Sequence, residues 1–161
     1  MKRLLCGLCL TILCASLAAA EVAPKVGCQA PELRLSTLAG KPLVLSEQFG
    51  SKRIILTFFT SWSRSCQAAL QTLNDLAVTH PATLQVVAVS FDKKSKELKN
   101  YLDQAALAFP VLHDKKLTTI DSFQILIIPT TFCLNRDGVI EQVFVDYDDN
   151  VKQALLDWLE D

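Results

Sequence analysis

The sequence predicts an α/β fold with a central mixed β-sheet that is flanked by helices on both faces. Two continuous apolar runs, residues 54–59 and 84–89, indicate strands buried on both sides, because a strand with one wet face would alternate. Amphipathic helical segments follow them, at residues 63–79 and 95–106. A turn signal at residues 135–138 joins two later strands and predicts an antiparallel hairpin at the edge of an otherwise largely parallel sheet.

The remaining elements are shorter. The sequence predicts, in order, strands at 33–35 and 43–45, a helical turn at 46–50, a strand or turn from Val111, a helix at 117–123, strands at 130–134 and 139–145, and a last helix carrying an apolar stripe from Val151 to Leu159. Residues 23–31 are predicted to be a flexible polar lead-in with two prolines. All of these elements fit one domain that covers residues 21–161.

The first twenty residues predict a signal peptide. A charged start at Lys2 and Arg3 precedes an apolar run over residues 4–17, and small residues at Ala18 and Ala20 suit cleavage before Glu21. The run is shorter than the roughly 20 residues of a membrane span. An uncleaved membrane anchor and lipidation at Cys14 are the alternatives. We therefore expect an exported, periplasmic protein.

Composition narrows the function classes. Half of the residues are apolar, which argues against disorder, and the net charge of −1 gives no case for binding nucleic acid. Without the leader, the cysteines are Cys28, Cys66 and Cys133, which have neither zinc spacing nor the density of a disulfide scaffold. We expect no metal site and no cofactor.

Two segments carry a resemblance to a known family. Residues 58–66 read Phe-Phe-Thr-Ser-Trp-Ser-Arg-Ser-Cys, and residues 128–132 read Ile-Pro-Thr-Thr-Phe. They resemble the Phe-Trp-Ala-x-Trp-Cys-x-x-Cys junction and the cis-proline strand of TlpA/ResA-like thioredoxins. The resemblance implies a thioredoxin-like fold and thiol–disulfide chemistry. It also implies a polypeptide groove formed by Trp62, Ile128 and a cis Pro129, with exported thiol proteins or a membrane redox donor as partners.

The motif departs from that family where the chemistry occurs. Ser63 stands at the nucleophilic cysteine, Ser65 at the usual proline, Ala69 at a frequent glutamate and Thr57 at a frequent buried acid. Disulfide exchange needs a thiolate, which a hydroxyl cannot replace. We therefore expect weak or no dithiol exchange.

The catalytic candidates that remain are Cys66 and Ser63, and several interpretations stay open. Cys66 is either a buried core thiol or a single redox-active thiol. Its spacing from Ser63 resembles the Thr/Ser-x-x-Cys of peroxiredoxins, so a thiol peroxidase is one alternative, and a non-catalytic polypeptide-binding protein is another. Ser63 is expected to cap the helix. Trp62 is expected to pack beside the motif.

The two other cysteines have separate expectations. Cys133 is predicted to lie in the core, and Cys28 is predicted to be the most exposed of the three thiols. Disulfides from Cys66 to Cys28 or Cys133, or from Cys28 to another chain, are conceivable, because the sequence gives no distances.

Overall fold

The computed structural model describes residues 24–160, and the predicted signal peptide lies outside the described residues. Twelve elements follow one another: β1 (Arg34–Ser36), β2 (Pro42–Val44), a 3₁₀ turn (Ser46–Gln48), β3 (Arg53–Phe59), α1 (Arg64–Thr79), β4 (Leu84–Ser90), α2 (Ser95–Ala105), β5 (Val111–His113), α3 (Ile120–Phe123), β6 (Thr130–Leu134), β7 (Ile140–Val145) and α4 (Asp149–Glu160). Within this range, no helix is both long and apolar enough to cross a bilayer.

A five-stranded mixed sheet, in the order β5-β4-β3-β6-β7, forms the centre of the fold. The β3 strand pairs in parallel with β4, and β4 in parallel with β5, whereas β6 and β7 add an antiparallel edge. The predicted mixed sheet is therefore confirmed. The β1 and β2 strands form a separate antiparallel hairpin.

The side chains of β3 alternate between two apolar clusters, one on each face of the sheet. Ile54 and Phe58 point to the face covered by the β1–β2 hairpin and α3. Ile55 and Phe59 point to the face covered by α1, α2 and α4. Full burial of such a side chain contributes roughly 1.5–3 kcal/mol, so the continuous apolar run at β3 stabilises both layers.

Two local predictions need correction. The predicted helix at 117–123 begins only at Ile120, because Leu117 has a φ of 58°, which is incompatible with a right-handed helix. The lead-in is not loosely held near Cys28. The backbone N–H of Ile140 donates to the Cys28 carbonyl at 2.9 Å, and the Gly27 N–H donates to the Ile140 carbonyl at 2.8 Å.

Candidate functional site

The start of α1 is built around Ser63. Its backbone is extended, with φ −82° and ψ 125°, and its hydroxyl oxygen accepts a hydrogen bond from the Cys66 N–H at 3.4 Å. This geometry confirms the predicted N-cap, a contact whose loss typically costs about 1 kcal/mol. The side chain at the family's nucleophile position therefore satisfies one of the unpaired N–H groups at the start of the helix.

Cys66 is fully buried and packs in the same apolar cluster as Phe59 and Leu70. Burial raises the pKa of the Cys66 thiol, and the Asp146 carboxylate adds to the rise, although hydrogen bonds from Ser63 and Thr60 oppose it. The thiol is therefore protonated at neutral pH. A protonated, buried thiol is a poor nucleophile.

Thr60 provides a buried hydroxyl beside the sulfur of Cys66. Its Oγ1 atom is buried and has no hydrogen-bond partner within residues 24–160. Thr60 opposes the rise in the pKa of the Cys66 thiol. The family pattern quoted above has alanine at this position. This departure from the pattern marks Thr60 in the sequence, but only the structure shows that Thr60 lies near the Cys66 thiol.

The loop between β3 and α1 is held by a buried carboxylate that the sequence did not single out. Asp92 accepts hydrogen bonds from the Ser61 N–H at 2.9 Å, the Ser61 hydroxyl at 2.8 Å and the Ser90 hydroxyl at 2.7 Å. Asp92 is almost fully buried. Since a buried charge requires such partners, Asp92 and Ser61 fix the path of the chain that enters α1.

The cis-proline segment lies next to this loop in the sheet. The Ile128–Pro129 bond is cis, as the resemblance implied. Pro129 is buried, and the half-buried Ile128 packs against the apolar clusters on both faces. Behind them, the hydroxyls of Thr57 and Thr131 hydrogen-bond at 2.9 Å. Thr57 thus places a neutral hydroxyl pair where many thioredoxins keep an acid.

Asp146 joins the two sides of the site. Its N–H donates to the Pro129 carbonyl at 2.8 Å, and its carboxylate accepts from the Ser65 hydroxyl at 2.7 Å. The Ser65 hydrogen bond, assisted by the Tyr147 N–H, lowers the pKa of Asp146. Ser65, which replaces the family's proline, therefore links the first turn of α1 to the cis-proline segment through Asp146.

Trp62 does not pack beside the motif, so that prediction is wrong. Its side chain is exposed, at 72% of its full accessible area, although it immediately precedes the Ser63 cap. Ser61, the residue before Trp62, is buried and hydrogen-bonded to Asp92, whereas the Trp62 side chain lies at the surface.

The structure holds Cys28, Cys66 and Cys133 as free thiols. Cys133 is buried, as predicted, and burial raises its pKa. Cys28 is half-buried, which makes it the most exposed of the three, as predicted. None of the conceivable disulfides is present among these three residues.

Comparisons with known proteins agree with this architecture. Residues 26–143 match the AhpC/TSA family. The chain is 34% identical to the thioredoxin-like protein YneN of Bacillus subtilis, over 78% of this chain and 74% of that protein. It is 29% identical to the thiol-disulfide oxidoreductase ResA of Bacillus anthracis, over 74% of this chain and 69% of that protein.

A solved structure is also similar. It is described as a thiol:disulfide interchange protein DsbE from Chlorobium tepidum, and it superposes with a TM-score of 0.80 at 28% identity, covering 85% of this chain and 96% of that one. The fold, the cis-proline segment and these matches agree. The chain belongs to the AhpC/TSA family and is a redoxin of the thioredoxin-like, thiol-disulfide oxidoreductase type.

Proposed function

We propose that this protein binds extended polypeptides in the groove between the start of α1 and the cis-proline segment, with little or no dithiol–disulfide exchange at its own motif. One observation carries the proposal: Ser63 caps the helix where the nucleophile would stand, and Cys66 is fully buried behind it.

The chemistry of exchange supports this proposal. A thiolate must attack a disulfide sulfur, and a second thiol must then resolve the mixed disulfide. Ser63 cannot supply the first step, because its hydroxyl is far less acidic than a thiol. Cys66 has a raised pKa and no neighbouring cysteine within its motif. Both steps therefore lack a reactive group.

Polypeptide binding is supported by apolar side chains and backbone that are exposed near the start of α1 and the cis-proline segment. Trp62 is exposed on one side of the groove, and Ile127 is half-exposed just before Ile128 and Pro129 on the other. The carbonyl of Pro129 accepts from the Asp146 N–H and the carbonyl of Ile127 accepts from the Thr130 hydroxyl, so the backbone of Ile128 is left to contact a partner. The substrates we propose are exported proteins in extended conformations, and a membrane redox donor is not required for this activity.

Export to the periplasm is part of the proposal. The predicted leader at residues 1–20 supports it. N-terminal sequencing of the protein from its own cells would identify the cleavage site, and a chain that starts at Met1 in the cytoplasm would contradict it.

The Ser63→Cys variant tests the loss of exchange. We expect the native protein to reduce no insulin disulfide above background and Ser63→Cys to gain measurable reduction, because the variant restores the pair of thiols. Ser63→Ala is the matched control and should stay inactive. Native activity equal to that of Ser63→Cys would overturn the proposal.

Binding is tested with a polypeptide that cannot exchange thiols. Reduced and carboxymethylated insulin B chain, titrated by calorimetry, should bind the native protein saturably and bind Trp62→Ala more weakly. Val78→Ala is a matched control, since Val78 is an exposed apolar residue on α1 at its opposite end. Equal binding by both variants would place the site elsewhere.

A second candidate function has one observation in its favour. The Thr60 and Ser63 side chains both oppose the rise in the pKa of the Cys66 thiol, and hydroxyls with this effect would favour a single-thiol peroxidase. Mass spectrometry after peroxide treatment decides between the two. An unmodified Cys66 excludes the peroxidase, whereas rapid oxidation of Cys66 to a sulfenic acid would favour it.

A further inference from the structure

Three loops leave the sheet at the same edge, because β3, β4 and β5 are parallel to one another. Phe59 is the partner of Ser90 across β3 and β4, and Ser90 is the partner of His113 across β4 and β5, so the three strands end level with one another. The loops that follow them are residues 60–64, 91–97 and 114–119.

Hydrogen bonds join these three loops beside the exposed Trp62. The Ser61 N–H donates to the Asp92 carboxylate at 2.9 Å, and the Asp114 N–H donates to the Ser90 carbonyl, also at 2.9 Å. Trp62 follows Ser61 directly in the chain, and its side chain is exposed. The three loops therefore form one continuous surface that includes the start of α1.

This surface, which we call the basic edge, carries six exposed cationic side chains. They are Arg64, Lys93, Lys94, Lys96, Lys115 and Lys116. Lys94 pairs with Glu97 at 2.7 Å, and within residues 24–160 the other five form no ion pair. The two remaining acids of these loops, Asp92 and Asp114, are buried. The basic edge thus has a net charge of +3 on a chain whose net charge is −1.

The positions of these cations oppose the stability of two helices. The start of a helix carries a partial positive charge, which a nearby base destabilises. Arg64 begins α1, whose first turn has no acid, and Lys94 and Lys96 lie at the N-cap and in the first turn of α2, where no side chain caps the helix. Residues that break such a local rule are expected mainly at functional sites, so the concentrated charge indicates a partner of opposite sign.

We propose that the basic edge binds acidic side chains of an extended polypeptide whose apolar part contacts Trp62. This inference rests on the proposed function and adds the charge of the substrate. Lys93 and Trp62 each follow a member of the hydrogen-bonded pair Asp92 and Ser61, so a segment that contacts Trp62 passes close to Lys93. The preferred substrates therefore carry aspartate or glutamate within a few residues of an apolar side chain.

Calorimetry with three thiol-free peptides tests this preference. The peptides share one apolar sequence and differ only in its flanking residues, which are glutamate, glutamine or lysine. The native protein should bind the glutamate peptide about tenfold more tightly than the glutamine peptide, since several exposed ion pairs add small contributions. It should bind the lysine peptide most weakly. Salt at about 0.5 M should remove the preference by screening these charges.

Two lysine variants locate the preference on the surface. Lys93→Glu should lower the affinity for the glutamate peptide at least about fivefold and leave that for the glutamine peptide unchanged. Lys41→Glu makes the same change of charge at another exposed lysine and is the matched control. Lys41 lies near Gln85, at the opposite end of β4, and should retain the native preference.

The outcomes separate this inference from the proposed function. Equal binding of the three peptides, or the same loss of preference in both variants, would overturn the inference and leave polypeptide binding intact. Binding of none of the peptides would overturn both. An oligodeoxynucleotide with the charge of the glutamate peptide is the last probe. If it binds as tightly as that peptide, the basic edge binds polyanions in general, and the inference is overturned.

Discussion

The start of α1 and the cis-proline segment are joined through Asp146, but they differ in what their polar groups do. At the start of α1, the Ser63 side chain caps the helix and Ser65 binds Asp146. In the cis-proline segment, the Ile128–Pro129 bond is cis and the chain enters β6 directly after Pro129. The difference teaches that a thioredoxin-like fold can use its nucleophile position for structure while it retains its cis-proline segment.

Among the tests of this difference, the largest expected effect is on the reactivity of the thiols. With N-ethylmaleimide at neutral pH, native Cys28 should react at least about 100-fold faster than Cys66, since labelling of a fully buried thiol requires local opening worth ~3 kcal/mol. Peptide mass spectrometry over time measures both rates. Equal rates would mean that the start of α1 still presents a reactive thiol.

The same experiment has a defined pH dependence. The folded-state pKa of Cys66 is raised above the ordinary thiol value of 9.0, so folding favours the protonated thiol. That contribution to stability is complete below the ordinary pKa and is lost as pH rises through the folded-state value. Labelling of Cys66 should therefore accelerate above about pH 9, because local unfolding around the thiol becomes easier. In urea unfolding, Cys66→Ala should remove the loss of stability at alkaline pH that comes from this thiol.

The next largest effect is expected at Asp92. Asp92→Ala leaves three buried donors without an acceptor, on Ser61 and Ser90, and should lower the free energy of unfolding by about 3 kcal/mol. Urea denaturation measures the change. Asp92→Asn, which keeps one acceptor oxygen, should lose less. If both variants were as stable as the native protein, the loop that enters α1 would be held by something other than this carboxylate.

A smaller loss of stability is expected when the Ser63 cap of α1 is removed. Ser63→Ala removes the acceptor of the Cys66 N–H and should cost about 1 kcal/mol in unfolding free energy. Ser63→Thr retains a hydroxyl and is the control. A neutral Ser63→Ala would contradict the structural role assigned to this serine and would sharpen the case for a role in binding or chemistry.

The smallest expected effect is on the pKa of Asp146, which links Ser65 of α1 to the cis-proline segment. Ser65→Ala removes the hydrogen bond that lowers the pKa of Asp146, so that pKa should rise toward its ordinary value. Carboxyl NMR titration of Asp146 measures the shift, with Ser65→Thr as the control. An unchanged titration curve would show that the Ser65 hydroxyl does not contact Asp146 in solution.

Much of the fold could be predicted from local patterns. The apolar runs predicted β3 and β4, and the spacing of Cys66, Leu70 and Leu73 predicted the buried face of α1, because burial and periodicity are recorded directly in residue order. The late start of α3 could not be predicted this way. It depends on the left-handed backbone at Leu117, a conformation that a leucine does not signal.

The candidate site was predictable only in part. The resemblance singled out Cys66, Ser63 and Pro129, and it implied the cis bond before Pro129, which the structure confirms. It did not predict the exposure of Trp62. It gave no reason to single out Asp92 or Asp146. These two act through contacts between residues far apart in the chain, Ser61 with Asp92 and Ser65 with Asp146, and no spacing rule records such contacts.

The sequence by itself determined the class of fold, the serine at the nucleophile position and the cysteines that remain. Those properties depend on residue identity and on patterns within short segments. Only the tertiary structure decided the state of Cys66, because burial and the neighbouring Thr60, Ser63 and Asp146 together set its pKa. The same is true of the exposure of Trp62. A thiol's reactivity is a property of its surroundings, and the surroundings of Cys66 are assembled from β3, α1 and the end of β7.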